Sequence, residues 1–288
     1  MGRLSRRPSV LVTGGFGQLG RELVDQLRGR GYPVIAGDSS HLDVTSRDLV
    51  AEAVEVARPD VIIHSAAWTA VDACELDPDR AYSVNAMGTR HVAEAARRVG
   101  AHVCYVSTDY VFDGTGRRPY TEWDATNPLS VYGRSKLGGE AELEPRWTVV
   151  RTSWLFGRHG TNFVRSILSA AQRGAPLRVV DDQHGCPTSA AHLAATTVEL
   201  ALGRHPGIHH VTNRGATTWY GLARAVLAAA GMDAERVEPI STAEMDPPRP
   251  APRPAYSVLD NAALRLAGIP LLPDWHEPVE ELVKDLSA

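Results

Sequence analysis

The segment Ser9-Val-Leu-Val-Thr13-Gly14-Gly-Phe16-Gly17-Gln18-Leu19-Gly20 settles what kind of domain this chain builds. A short β-branched run stops at a cluster of glycines, and helical spacing of apolar residues begins at Gln18 and runs through Leu19, Leu23, Val24 and Leu27. That order predicts strand, glycine turn and helix. Glycines three apart at such a turn let the backbone bend tightly, let a diphosphate approach the helix N-terminus, and let the helix pack close to the strand. A lone glycine repeat is weak evidence, but placement between a first strand and a first helix is the context that supports it. Gly14, Phe16, Gly17, Gln18 and Leu19 are therefore the expected cradle of a dinucleotide cofactor.

Outward from this segment the same alternation recurs. Pro33–Ala36, Asp60–His64, Ala101–Ser107 and Thr148–Arg151 read as apolar strands. Helices are expected over Arg47–Ala57, in one long run over Pro78–Val99, and over Val131–Leu143. Near-continuous apolar strands between helices imply a parallel sheet covered on both faces. The expected fold is α/β, a Rossmann-type doubly wound sheet over residues 1–155 with a smaller C-terminal substrate-binding lobe over 156–288, the boundary interleaved. In the second part, helices are expected at Asn162–Arg173, Ala190–Leu202 and Thr218–Ala230, with a strand at Leu177–Val180. The proline-rich Asp246–Pro254 reads as extended, either a plain linker or a functional loop.

Asp38, at the end of the second strand, is placed to bind an adenosine ribose hydroxyl or simply to make a turn. Its charge favours NADH, whereas Ser39, Ser40 and His41 offer donors to the extra phosphate of NADPH, so either cofactor is compatible. Asp43 and Val44 are expected beside the adenine. Ala66, Ala67 and Trp68 follow the third strand, where small residues suit either cofactor contact or close packing.

Bulk properties narrow the function. The chain has 288 residues, 43% hydrophobic and 22% charged, with a formal net charge of -4. No basic cluster extends beyond Arg3, Arg6 and Arg7, so nucleic acid is an unsuitable partner. The apolar run Val10–Val12 is too short for a signal-peptide core and no window reaches a membrane span, which points to the cytoplasm and to no membrane partner. Cys74, Cys104 and Cys186 are spaced for neither a disulfide framework nor zinc and read as core or pocket-wall residues.

Only two lysines, Lys136 and Lys284, stand among 30 basic residues. Lys136 follows Tyr132 by one helical turn, on the same face. An ammonium beside a phenol stabilises the phenolate and lowers a pKa that is ordinarily about 10. Thr108, in Ser107-Thr-Asp109, ends a strand at the carboxyl edge of the sheet, where open α/β folds place ligands. Together these groups suit carbonyl reduction: Thr108 polarises the carbonyl, Tyr132 gives its proton to the developing alkoxide, and Lys136 holds the nicotinamide ribose and tunes the phenol. No metal is required.

Glycine turn, Thr108 and Tyr132-x-x-x-Lys136, in that order, resemble the extended short-chain dehydrogenase/reductases. Further stretches resemble one branch, the dTDP-4-dehydrorhamnose reductase family: Ala66–Asp72, Ser107–Gly114, Val131–Leu137 with Gly139-Glu140, Arg151–Trp154, Asp182–Thr188 and Arg253–Leu259. The resemblance implies reduction of the 4-keto group of dTDP-4-dehydro-L-rhamnose with NADPH or NADH, and Thr108, Asp109, Tyr132 and Lys136 as the catalytic group. It also implies Trp154 as a wall of the sugar pocket, where a core aromatic is the competing reading. The Arg253 segment would be a lid, its guanidinium on the diphosphate.

Some family members bridge two subunits through a metal held by a glutamate after the glycine turn and an acidic pair in the small lobe. Glu22 matches the first position, but Leu202–Pro206 lacks the acidic pair, so no metal is expected and monomer or homodimer stays open. Tyr110, standing where related nucleotide-sugar dehydratases carry an acid, disfavours dehydration. Two alternatives remain: a ketoreductase for another dTDP-4-keto-6-deoxysugar, and a non-catalytic regulatory subunit with the same fold, against which the retained Thr108, Tyr132 and Lys136 argue.

Overall fold

The computed structural model describes residues 6–287; Arg3 lies outside them. Five strands run β1 (Val10–Thr13), β2 (Val34–Gly37), β3 (Val61–His64), β4 (His102–Thr108) and β5 (Thr148–Thr152). With Gly207–His210 they form one parallel sheet in the order Gly207–His210, β5, β4, β3, β1, β2. β1 pairs with β2 on one side and β3 on the other, so the strand order reverses at β1, and a crevice opens at the carboxyl ends of β1 and β3.

Side chains alternate across the strands, and β1, β3, β4 and β5 are buried on both faces, while the edge strand β2 is part-exposed. Val10, Val12, Val61 and Ile63 pack on one side with helices α1 (Gln18–Gly29) and Ala190–Leu202. Leu11, Ile62 and Val103 pack on the other with Val50 and Val54 of α2 (Arg47–Ala57) and Val92, Ala93 and Ala96 of the Gly88–Val99 helix. Burial of each such aliphatic side chain contributes about 1.5–3 kcal/mol. Residues beyond 155 thus complete the first layer, both the edge strand Gly207–His210 and the covering helix Ala190–Leu202.

A second core gathers Val164, Ile167, Leu177, Leu222, Val226 and Trp275, around the parallel pair Leu177–Val180 and Val237–Ile240. Asp246–Pro254 contains no helix or strand. No helix among the described residues is long and apolar enough to cross a membrane.

The expected single helix over Pro78–Val99 is interrupted. A π-helical turn, Ser83–Met87, separates Pro78–Tyr82 from Gly88–Val99. The reason lies in Asn85, buried within that turn. Its side chain accepts from the Trp68 N–H at 2.8 Å and donates to the Trp68 carbonyl at 3.1 Å and the Ser135 hydroxyl at 2.9 Å. These long-range contacts decide the local winding, and no local sequence pattern encodes them.

Candidate active site

Gly14 adopts φ +67, and a side chain there would meet the Ala66 backbone at 2.8 Å. A side chain at Gly20 would overlap the Gly14 carbonyl, so the helix seats directly on the turn. No side chain caps α1 and no acid sits in its first turn. Its first N–H groups therefore face outward with the positive end of the helix dipole, an anion site. Gly14, Gly17, Gln18, Leu19 and Ala67 line a cavity of about 740 Å³ that also takes in Thr108, Asp109, Tyr132 and Lys136. These features fit the diphosphate and nicotinamide half of a dinucleotide.

The adenosine end is less enclosed. Phe16, Asp38, Asp43, Val44, Ala66 and Trp68 do not line this cavity. Asp43 Oδ1 is taken up by the Thr45 N–H and hydroxyl at 2.9 and 2.8 Å, and Val44 is buried in the core with Leu42. Ala66 backs the glycine turn, while Trp68 packs against Cys74, Val131 and Tyr132. Asp38 Oδ1 accepts from the Ser40 N–H and hydroxyl at 3.0 and 2.6 Å and lies 3.0 Å from His41 Nδ1. The Ser40 and His41 contacts hold its carboxyl down at about 2, so a full negative charge stands there, which favours ribose hydroxyls over a phosphate.

Ser130 caps the helix that carries the phenol, accepting from the Gly133 N–H at 3.1 Å. The helix, Val131–Glu140, sets Tyr132 and Lys136 one turn apart. The expected ammonium–phenol contact is not what forms. Lys136 Nζ donates to the Val106 carbonyl at 2.7 Å and lies 4.1 Å from the centre of the Tyr105 ring. Burial pushes the Lys136 amine down from 10.5 to about 7, opposed by the Glu140 carboxylate. Burial also drives the Tyr132 phenol above its ordinary value, opposed by a hydrogen bond with the Thr108 side chain. With the groups this deeply enclosed, lost hydration outweighs mutual tuning.

Thr108 Oγ1 accepts from the Tyr110 N–H at 3.2 Å and lies 3.1 Å from Asp109 Oδ1. Asp109 is 2% exposed. Burial raises its carboxyl to about 7, against hydrogen bonds from Ser257 and Thr108. Beneath them Glu140 pairs bidentately with buried Arg151 at 2.9 and 2.7 Å and accepts from Ser107 at 2.5 Å. That ion pair fixes the strand end from which Thr108 projects.

The second lobe closes the cavity. Trp154 takes a left-handed φ of 47 and stacks on Trp219 with centroids 3.6 Å apart. Non-glycine residues held at positive φ concentrate at functional sites. Both tryptophans line the cavity, as do Arg178, Arg249 and Arg253. Arg253 is not free: Asp72 receives it bidentately at 3.0 and 2.8 Å and also binds Arg249 at 3.1 Å.

Residues 8–288 match the family model for the RmlD substrate binding domain. The dTDP-4-dehydrorhamnose reductase of Streptomyces griseus is 44% identical over 284 residues, covering 96% of this chain and 93% of that protein. The chain belongs to the dTDP-4-dehydrorhamnose reductase family. A dTDP-4-keto-6-deoxy-D-glucose reductase of Streptomyces niveus is 41% identical, covering 92% of this chain and 93% of its own. The crystal structure of a Bacillus anthracis dTDP-4-dehydrorhamnose reductase in complex with NADP is 37% identical, has a TM-score of 0.92, and covers 97% of this chain and 99% of that one.

Within this member of the reductase family, sequence reasoning missed Asp72, Ser257, Trp219 and Arg249. Asp72 and Ser257 lie inside the resembling stretches, but only the fold shows what they touch. Trp219 begins a helix in the second lobe, where no motif marked it. Glu22 is buried and ion-paired with Arg158 at 3.1 Å, with His159 at 3.8 Å.

Proposed function

We propose that this chain is an NAD(P)H-dependent oxidoreductase that reduces the 4-keto group of dTDP-4-dehydro-L-rhamnose to give dTDP-L-rhamnose. The observation that carries this reading is one continuous cavity. It joins a bare helix N-terminus, the Thr108–Tyr132–Lys136 group and, from the second lobe, Arg178, Arg249 and Arg253. Such a cavity suits a dinucleotide at one end and a nucleoside diphosphate at the other.

The bound cofactor supplies the hydride that the carbonyl carbon accepts. Gly17, Gln18 and Leu19 would hold its diphosphate, and Lys136 would bind the nicotinamide ribose. Thr108 donates a hydrogen bond to the ketone oxygen, and Tyr132 Oη transfers a proton to that oxygen as charge develops on it. Because burial raises the phenol, Tyr132 stays protonated at neutral pH, the state a proton donor needs. Trp154 walls the sugar, and Arg249 and Arg253 reach the diphosphate once Asp72 releases them.

The test is oxidation of NADPH or NADH by purified protein with and without the dTDP-4-keto sugar, the product identified by NMR. Tyr132→Phe is expected to lower kcat by about a hundredfold or more, the scale of a lost general acid. Unchanged turnover in that variant removes Tyr132 from the mechanism. The Streptomyces niveus relative supports a second reading, reduction of another dTDP-4-keto-6-deoxysugar, which the relative turnover of the candidate keto sugars and the full NMR structure of the product decide.

A further inference from the structure

Asp109 is 2% exposed and Ser257 1%. The Asp109 carboxyl joins no ion pair among the described residues, and its two oxygens face different partners. Oδ2 meets the Ser257 hydroxyl at 2.5 Å and Oδ1 meets the Thr108 hydroxyl at 3.1 Å. The Ser257 N–H is anchored on the His184 carbonyl at 2.8 Å. Its hydroxyl has one hydrogen and two acceptors in reach, Asp109 Oδ2 at 2.5 Å and the His184 carbonyl at 3.4 Å. The shorter, better bond takes that hydrogen.

This choice has a consequence at Thr108. Thr108 donates to Oδ1 when the carboxyl is ionised; when the carboxyl is protonated, with Oδ2 serving as an acceptor, the proton resides on Oδ1 and is donated to Thr108 Oγ1. The Tyr110 N–H already occupies one lone pair of that oxygen at 3.2 Å. Both lone pairs are then filled, and the single Thr108 hydrogen is directed to the cavity side, toward the Tyr132 oxygen and any ligand beside it. Without the Ser257 bond the proton has no preferred oxygen, and Thr108 can spend its hydrogen on Asp109 instead.

Resting on the reductase reading above, we propose that Ser257 is a positioning residue, which acts through the Asp109 carboxyl to aim the Thr108 hydroxyl at the substrate ketone. Ser257 lies three residues past the end of the proline-rich segment whose Arg249 and Arg253 grip Asp72, so seating of that segment completes the relay. The raised Asp109 carboxyl, at about 7, leaves a proton available for it. The groups facing Asp109 are the Tyr110 and Tyr132 phenols and the Cys186 thiol. Burial raises all three, so each is neutral near pH 7.

Two measurements test the inference. In infrared pH titration of cofactor-free protein, the Asp109 acid band is identified by its absence in Asp109→Asn. Its midpoint should move up by about one pH unit in Ser257→Ala, because the lost bond stabilised the carboxylate, and should return in Ser257→Thr. In steady-state reduction of the dTDP-4-keto sugar, Ser257→Ala should lower kcat about tenfold with KM within about twofold, and Ser257→Thr should restore it. An unmoved midpoint, an intact kcat, or a loss confined to KM overturns the proposal. Wild-type protein inert toward every keto sugar overturns the reductase reading, and this inference with it.

Discussion

Replacement of Lys136 by methionine should change how stability responds to pH, and the structure sets the size of the effect. Lys136 is 2% exposed. Burial lowers its amine from 10.5 to about 7, with Glu140 opposing. Between those values the unfolded chain binds a proton that the folded chain lacks, so unfolding becomes harder as pH rises. Each pH unit in the window adds about 1.4 kcal/mol, and the whole depression is on the order of 5 kcal/mol. Below about pH 7 both states carry the proton and the slope vanishes.

The assay is urea unfolding of cofactor-free wild type and Lys136→Met from about pH 6 to about pH 10, with the slope against urea checked for constancy. The wild type should gain on the variant across the upper window. Near pH 6 the variant should be the more stable of the two, having no ammonium to bury. Two contacts argue the other way, since the Val106 carbonyl at 2.7 Å and the Tyr105 ring at 4.1 Å both favour the charged form. Parallel curves for the two proteins would mean that those contacts win and that the lysine stays charged, refuting the reasoning.

Two further substitutions probe contacts made by the second lobe. Asp72→Asn should tighten binding of dTDP about fivefold, the scale of a half-buried ion pair given up by Arg249 and Arg253. It should also make the 246–254 segment more readily cleaved by protease; weaker dTDP binding in calorimetry would show that Asp72 positions the arginines rather than competing for them. Gly185→Ala adds a side chain that would overlap the Trp154 indole. Displacing that ring from its stack on Trp219 should raise KM for the sugar about tenfold with little change in cofactor affinity, and an unaltered KM would place Trp154 outside the sugar's reach.

The first half of the fold could be read because its elements are written locally. Val10–Thr13, the glycines that follow and the Gln18–Gly29 helix each carry their own signal, in β-branching, backbone freedom and apolar spacing. The edge strand Gly207–His210 could not be read. It is a short run with two histidines, and it becomes a strand through its pairing with β5. The π turn at Asn85 escaped for the same reason, being set by partners at Trp68 and Ser135. In the site, residue types were legible and hydrogen-bond directions were not. Sequence spacing put Lys136 beside Tyr132, whereas depth of burial sent its amine to the Val106 carbonyl.

Burial also explains why the site residues share one behaviour. The same loss of water pushes the Asp109 carboxyl and the Tyr132 phenol up and the Lys136 amine down. Near neutral pH the unliganded site therefore tends toward neutral groups, not a standing ammonium–phenol pair. Where buried groups have lost their water, a few aimed donors act most strongly on charge that develops during reaction. In the proposed mechanism, Lys136 would regain its proton most easily when ribose hydroxyls replace the water it lost, so its charge and the ligand that needs it would arrive together. The phenol, protonated until that point, would then have a cation one helical turn away as it gives up its proton in that mechanism.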